Sequence, residues 1–421
     1  MAAWKIQPDV DLRVVLFAAG PFDNPFDSDG TDVTDYVRNQ GITISRGRSD
    51  KFTSFQAGTC GLTLKNNNRE FDPSYPASPF APLLKPLRRL QVTAIYQGTP
   101  YVLFTGYVQG WPRTWTKVSG DVTIVAHDAI GVMSRTTTGQ SFGSLILDDP
   151  NRGRLDANRL NGDLREQMAG DRVGALLQLA GFAAGANFEI DEGLTRIVAG
   201  DTPGNILNLI QEAETAEAGF FFVDREGVIR FLSRHARFLV DRLATVQATF
   251  TDCDYADLRV DHDLTQVWND VTFTRPDGGP QNVKDDASIH DYGVIAYDRE
   301  IPVVSDGDAL GRAQFWRDRY SQPQDRPGPV LIRPRHNMAA LFAAVAGSEL
   351  LDRVEIERTP LAVGDPVTFT GLVESIEHRI TNQTWETALG ISPVDLADVD
   401  SFLRLDDPSL GELDADNLLA Y

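Results

Sequence analysis

Short runs of alternating and apolar residues set the first part of the chain. Asp11-Leu12-Arg13-Val14-Val15-Leu16-Phe17 alternates and then turns apolar, which is the pattern of a strand. Gly41-Ile42-Thr43-Ile44-Ser45, Gly61-Leu62-Thr63-Leu64, Arg89 to Ile95, Tyr101 to Val108 and Gly120 to Ala126 read the same way. Gly, Asn and Pro punctuate them, as in a barrel or sandwich. The segment from Tyr75 to Pro86 carries four prolines and can be neither a long helix nor a central strand. Residues 1–140 are expected to form a first β-barrel domain.

The period changes over 166–240. Val173, Leu176, Leu177 and Leu179 space like a helix over Arg172–Phe182, and Asn187-Phe188-Glu189-Ile190 follows as a strand. A second helix is predicted with Asp201 or Thr202 as cap, Pro203 in the first turn and Gly219 at its end. Phe220-Phe221-Phe222-Val223, a turn at Asp224–Gly227 and Val228 to Leu232 then make a hairpin. This is a small α+β domain of order βαββ. The Phe triplet reads as a buried strand rather than a stacking site for a ligand.

Residues 241–394 return to β and are expected to form a second barrel. Its strands are Val267–Arg275, Arg353–Ile356, Pro366–Val373, Ser375–Ile380 and Trp385–Ile391, with one inserted helix at about 306–320 after a Ser305-Asp306 cap. The fold class is therefore mainly β, with two related β-barrel modules flanking an α+β insert.

The relation between the modules is written in the sequence. Residues 147–160, LDDPNRGRLDANRL, and 405–418, LDDPSLGELDADNL, share nine of fourteen positions without a gap. Upstream of each lies a second shared string, Phe104-Thr105-Gly106-Tyr107-Val108 and Phe369-Thr370-Gly371-Leu372-Val373. Arg89-Leu90-Gln91-Val92 leads the first much as Arg353-Val354-Glu355-Ile356 leads the second. Repetition at this range implies duplicated modules. The tails at 141–165 and 395–421 share the Leu-Asp-Asp-Pro string and carry spaced leucines; the second is acidic, with eight acids and one arginine, while the first balances four acids with four arginines. Each is expected to be a strap that clasps a neighbouring module or subunit.

Charge sharpens this picture. Of 39 basic and 60 acidic residues, residues 1–135 hold 14 and 12, which leaves 25 and 48, a net −23, for 136–421. Such a surface repels phosphate and disfavours groove-type binding of nucleic acid. No run of about 18 apolar residues is available to span a membrane, and the N-terminal residues lack a signal peptide's apolar core. A soluble chain made in the cytoplasm is expected. Cys60 and Cys253 are too few for a disulfide framework and read as buried or half-buried thiols.

Catalytic patterns are missing from the sequence. It holds no G-x-S-x-G elbow, no phosphate loop and no H-E-x-x-H pair, and its six histidines are scattered. Asp27, Asp29 and Asp32 lie close together, but Gly30 stands too early for an EF-hand. His378 beside Glu377 and His290 beside Asp291 read as satisfied or surface pairs. No catalytic, cofactor-binding or metal residue is assigned, no cofactor is expected, and the chain is not expected to be an enzyme.

Several strings carry a resemblance. Gly41 to Ser49, Ala57-Gly58-Thr59-Cys60, the Asn66–Arg69 turn, Phe71-Asp72-Pro73 and Pro86-Leu87-Arg88 lie in the first half. Trp268-Asn269-Asp270-Val271, Tyr292-Gly293, Tyr320 to Arg326, Val373 to His378 and Trp385-Glu386-Thr387 lie in the second. Together they resemble the tail-hub or minor tail proteins of long-tailed (siphovirus-type) bacteriophages of actinobacteria, which are similar to baseplate hub proteins.

The resemblance implies a structural virion protein at the tail tip. It implies a homotrimer whose six quasi-equivalent barrels adapt a sixfold tail tube to a threefold tip and form part of the DNA conduit. The implied partners are distal tail or tail-tube proteins, the tape measure protein and other tip or fibre proteins, with DNA passing through the lumen without sequence-specific binding and no stable membrane insertion. The alternative is a carbohydrate- or receptor-binding tail component. In that reading Trp111 and Trp115, on one side of a strand and near Tyr101, would stack on a sugar.

Overall fold

The alternating runs form strands, and those of both β modules hydrogen-bond into one sheet. The computed structural model describes residues 5–7, 10–23, 29–137, 166–182, 187–198, 204–236, 241–361 and 364–394. Both expected straps lie outside these residues, as do Asp27 and the Asp201-Thr202-Pro203 helix start.

In the first module the strands are β1 (Val10–Phe17), β2 (Val37–Gly47), β3 (Gln56–Lys65), β4 (Arg89–Tyr96), β5 (Thr99–Val108) and β6 (Gly120–His127). Gly120, Val122, Ile124 and Ala126 of β6 are buried while Thr123 and Val125 are exposed, the alternation of a strand with one face on a core. The proline-rich stretch holds only a 3-10 turn at Ala81–Leu83. A short helix, α1 (Ala129–Met133), follows β6, and Asp128 caps it by accepting from the Ile130 N–H.

The α+β insert comprises α2 (Ala169–Leu179), β7 (Phe188–Ile190), α3 (Ile206–Glu217), β8 (Phe220–Val223) and β9 (Ile229–Leu232). Its sheet order is β7-β9-β8, with β7 parallel and β8 antiparallel to β9. All three phenylalanines of β8 are buried. The cap of α3 is Asn205: its Oδ1 accepts from the Leu207 and Asn208 N–H groups at 3.0 and 3.3 Å, and its amide donates to Ser134 O at 2.7 Å. At the other end Ala218, not Gly219, takes the left-handed conformation, at φ 51°. Gly219 is required for a different reason, because a Cβ there would lie 2.3 Å from Leu232 O.

The main elements that follow are β10 (Val246–Phe250), β11 (Asp270–Thr274), β12 (Gln281–Lys284), α4 (Asp286–Tyr292), β13 (Ala296–Glu300), α5 (Asp306–Tyr320), β14 (Val330–Ile332), α6 (Met338–Gly347), β15 (Arg353–Arg358), β16 (Val367–Ile380) and β17 (Trp385–Pro393). Ser305 caps α5, its Oγ accepting from the Asp308 N–H at 3.1 Å. Strands β12, β11 and β13 form a separate small sheet under α5. Phe52, from the turn between β2 and β3, inserts between Trp268, just ahead of β11, and the rings of α5, 4.3 Å from Trp268 and 4.8 Å from Tyr320. Helices α4 and α6 are not anticipated by the sequence pattern.

The chain is mainly β with an α+β insert. The two β modules, however, are continuous. The large sheet runs β1-β4-β5-β6-β3-β2-β16-β15-β10, with β17 on the other edge of β16 and β14 on β17. Among the described residues this path is open, and no pairing closes either module into its own barrel.

Strand β16 is the joint. One of its edges takes β15 along Val367–Leu372 and then β2 along Ser375–Ile380. Glu374 sits between, at a register shift in which Val373 faces Ile391 and Ser375 faces Gly390. A bulge of this kind re-aims a side chain, and the Glu374 carboxylate is buried against Arg48, accepting from Nη2 at 3.1 Å as well as from Nε. Arg48 also donates to Thr53 O at 3.2 Å and lies 4.4 Å over the Phe55 ring. Two residues earlier, Arg46 donates to Val223 O in β8 at 3.0 Å and pairs with Glu349 just ahead of β15. The turn Arg46-Gly47-Arg48 thus ties the first module to the insert and to the second module. Gly47 is fixed at φ 117°, and a Cβ there would lie 2.1 Å from Glu374 O.

Arg48→Met leaves the Glu374 carboxylate buried without its partner and is expected to lower unfolding free energy by about 3–5 kcal/mol. Arg48→Met combined with Glu374→Met is expected to recover most of that loss in urea denaturation. A double variant no more stable than Arg48→Met would refute the pairing as the source of the loss.

Candidate functional site

The sequence repeat becomes a structural one at the level of individual backbone pairs. In the first module Arg89, Leu90, Gln91 and Val92 face Tyr107, Gly106, Thr105 and Phe104. In the second, Arg353, Val354, Glu355 and Ile356 face Leu372, Gly371, Thr370 and Phe369. The third strands match as well: Tyr107 and Val108 face His127 and Ala126, while Leu372 and Val373 face Ser392 and Ile391. A fourth strand then lies on each third strand, with Leu62 opposite Ile124 and Val330 opposite Leu389. Strands β3, β4, β5 and β6 and strands β14, β15, β16 and β17 are two copies of one cassette.

The entry into each copy repeats too. Leu87 N donates to Val108 O and Val108 N to Arg88 O, at 2.7 and 2.9 Å. Leu351 N donates to Val373 O and Val373 N to Asp352 O, at the same two distances. Both leucines hold positive φ, 61° and 67°, a conformation rare for a branched side chain. The shared glycine has one cause in both copies. A Cβ on Gly106 would lie 2.7 Å from His127 O, and one on Gly371 would lie 2.5 Å from Ser392 O.

The copies differ in what surrounds them. Strand β1 joins β4 antiparallel, whereas β10 joins β15 parallel. Among the described residues, helix α6 covers the hairpin end of the first copy and not that of the second. Phe342 packs 4.7 Å from Tyr96 and 5.8 Å from Tyr101, and 5.0 Å from Trp385 of the second copy.

Several buried ionisable groups surround the joint. Burial pushes the Asp128 carboxyl up to about 7, against the pull of the Gly58 N–H and of Arg46. Burial likewise pushes Glu214 up to about 7, although it accepts from the Phe221 N–H at 2.9 Å and lies near Arg48. Arg48 therefore serves Glu374 as a partner, while Glu214 is held toward its neutral form. Burial, aided by Arg46, lowers His378 to about 3, so its ring is neutral and sits 2.8 Å from Thr387 Oγ1. Glu214 and Asp128 carry no signal in the sequence that separates them from the other acids.

The residues weighed as chemistry do not converge. His378 is a core histidine; His290 and Asp291 form an exposed surface pair. Asp32 is taken by Thr34 and Arg13. Cys60 is buried, but Cys253 is exposed, contrary to expectation. The two tryptophans do not make a sugar platform. Trp111 precedes the Arg113–Trp115 strand and is buried, stacked on Phe71 with its Nε1 donating to Lys85 O, whereas Trp115 is exposed. Tyr101 packs on α6.

No family model matches the sequence, and no curated protein does. Solved structures do match in fold. The 43 kDa tail protein of prophage MuSo2 from Shewanella oneidensis is 12% identical, with a TM-score of 0.51 over 90% of this chain and 96% of that one. A tail protein from Neisseria meningitidis MC58 is 8% identical, with a TM-score of 0.55 over 91% of this chain and 96% of that one. At these identities what is shared is the fold, and it is shared along nearly the full length of each chain.

Gly106→Ala and Gly371→Ala each push a methyl into a neighbouring backbone carbonyl, and each is expected to cost about 1–3 kcal/mol in chemical denaturation. A neutral result at either would break the equivalence of the two copies. The raised carboxyls give a pH dependence with a definite sign. Folded Glu214 holds its proton up to about 7, while its ordinary value is 4.5, so stability falls as pH rises between those values. Glu214→Gln removes that part of the fall and is expected to gain up to about 3 kcal/mol over the parent at pH 8 and nothing at pH 4.5. Parallel stability curves for variant and parent would overturn the assignment.

Proposed function

We propose that this chain is a structural subunit of a phage-type tail, the trimeric hub at the tail tip of a long-tailed virus. The observation that carries the reading is the cassette written twice in one chain with the same backbone register. Three chains with two equivalent cassettes each supply six equivalent surfaces, so closed threefold symmetry can meet a sixfold tube. The fold shared over nearly the full length with two tail proteins supports the same reading, as do the turn and strand-edge strings that resemble hubs of actinobacterial phages.

Its partners in this reading are a tube or distal tail protein above, the tape measure protein, and tip or fibre proteins below. The surplus of acid after residue 135 suits a wall past which DNA slides without binding. The two tails, 141–165 and 395–421, act as straps on equivalent surfaces of the two modules. Among the described residues no helix is long and apolar enough to cross a membrane.

A reconstruction of the assembled particle is expected to show three copies whose two cassettes superpose by a rotation of about 60°. A different copy number, or cassettes unrelated by that rotation, would refute the hub. Removal of 405–421 is expected to block assembly while the urea midpoint of the purified chain stays unchanged. Normal assembly of the shortened chain would reduce the tails to linkers.

A further inference from the structure

The two cassettes end differently, and the difference points to a contact between copies of this chain. In the first, β4 and β5 close through Gln97 and Gly98, and the flanking Tyr96 and Tyr101 rest on Phe342 of α6. The second ends in Arg358-Thr359-Pro360-Leu361 and returns through Asp365-Pro366-Val367. Counted from the shared arginines, Tyr101 opposite Ala94 corresponds to Val367 opposite Arg358, and Tyr96 corresponds to Pro360. Val367 is 43% exposed and Leu361 97% exposed, the most exposed large apolar side chain among the described residues. Among the described residues, the same hairpin end is covered in one copy and exposed at Leu361 and Val367 in the other.

The cover itself is half used. Helix α6 reads Met-Ala-Ala-Leu-Phe-Ala-Ala-Val-Ala-Gly, without a charge. Leu341, Phe342, Val345 and Ala346 face the core, while Ala339, Ala340 and Ala343 are exposed. A helix apolar on all sides belongs in a buried place. Its outer face consists of small residues that let another backbone approach closely.

The same chain cannot bring these two surfaces together. Phe342 packs on Trp385, which faces Ile380 at one end of β16, and the bare hairpin begins at Val367 at the other. The thirteen residue steps of β16 separate them by roughly 40 Å.

We propose that the outer face of α6, at Ala339, Ala340 and Ala343, docks on the hairpin end at Leu361 and Val367 of a second copy of this chain. The helix then lies between two hairpin ends of one design, its own first cassette and the neighbour's second. Such a contact joins unlike surfaces head to tail, and it forms a ring when the rotation closes. The inference deepens the hub reading and rests on it for the closure of the ring.

The test uses the full chain in a Cys253→Ser background, with Cys60 left in the core. Ala343→Cys and Leu361→Cys are introduced singly and together and oxidised with copper phenanthroline. Interchain products up to the ring size are expected from the double variant, and monomer alone from each single one. An oligomer by light scattering without that crosslink overturns the contact and leaves the hub reading standing. A chain that stays monomeric at every concentration overturns both. Self-linking of the Leu361→Cys variant overturns the proposal in favour of a like-to-like contact. Protection of that cysteine from maleimide in the monomer overturns it in favour of a cover from the same chain.

Discussion

Everything on either side of β16 depends on how one buried guanidinium meets one bulged carboxylate. Taking Arg48 and Glu374 out of water is costly, and their attraction offsets that cost only with close and complete geometry. The geometry is supplied by the backbone. Arg48 N donates to Glu374 O at 2.9 Å, and Gly47 lets the two strands approach where no side chain fits. Such a pair adds little to stability over a well-packed apolar one, but it tolerates no shift of register. Burial lowers the proton affinity of Arg48, the Glu374 charge more than restores it, and the net effect is a guanidinium held above its ordinary value. The position of the first module on the second is thereby set to a single residue.

The duplicated cassette shows which features of a sequence survive when a unit is copied and reused. The glycine under the third strand persists because a carbonyl lies where its Cβ would go, at His127 O in one copy and Ser392 O in the other. The left-handed leucine at the entry persists although nothing in its side chain favours that conformation, and the paired N–H and carbonyl groups of Val108 and Val373 hold it there. What changed is outside this frame: the neighbour strand, the fourth strand's length and the hairpin end. A surface built by the conserved frame is presented twice, while the changed parts decide what each copy touches.

Much of this is legible in the sequence for physical reasons that can be named. Strands with one face on the core alternate, so β1, β4 and β6 stand out, and the repeated strings by themselves locate the duplication. Helix α5 announces itself through its Ser305 cap. Helix α6 does not, because a helix apolar on every side has no amphipathic period to detect. The α3 cap is misplaced by sequence because Asp201 and Thr202 are as suitable chemically as Asn205, while the start of the helix is fixed by tertiary bonds, from Asn205 to Ser134 O and from Ile206 N to Thr136 O. The tryptophan pair fails because Trp111 lies outside the short strand whose alternation would have aligned it with Trp115. Merging of the modules is invisible, since the pairing of β2 with β16 joins residues some 330 positions apart, and the basic turn that enforces it looks like any exposed Arg-Gly-Arg. Buried acids such as Glu214 and Asp128 are equally silent, because their state is set by surroundings that the sequence does not display.

A copied unit and an asymmetric environment are both needed for the assembly proposed. If the two cassettes were alike to their ends, each chain would present two identical contacts and could join its neighbours in either sense. Strand β16 removes that freedom. Its Val367 end meets solvent with apolar side chains, while its Ile380 end lies beside β2 and Trp385. One strand thus carries the first module at one end and a bare hairpin at the other. The conserved frame between them supplies equivalence toward a symmetric partner, and the unlike ends supply direction around a ring. The register fixed by Arg48 and Glu374 couples the two, because it determines at what angle the second cassette follows the first.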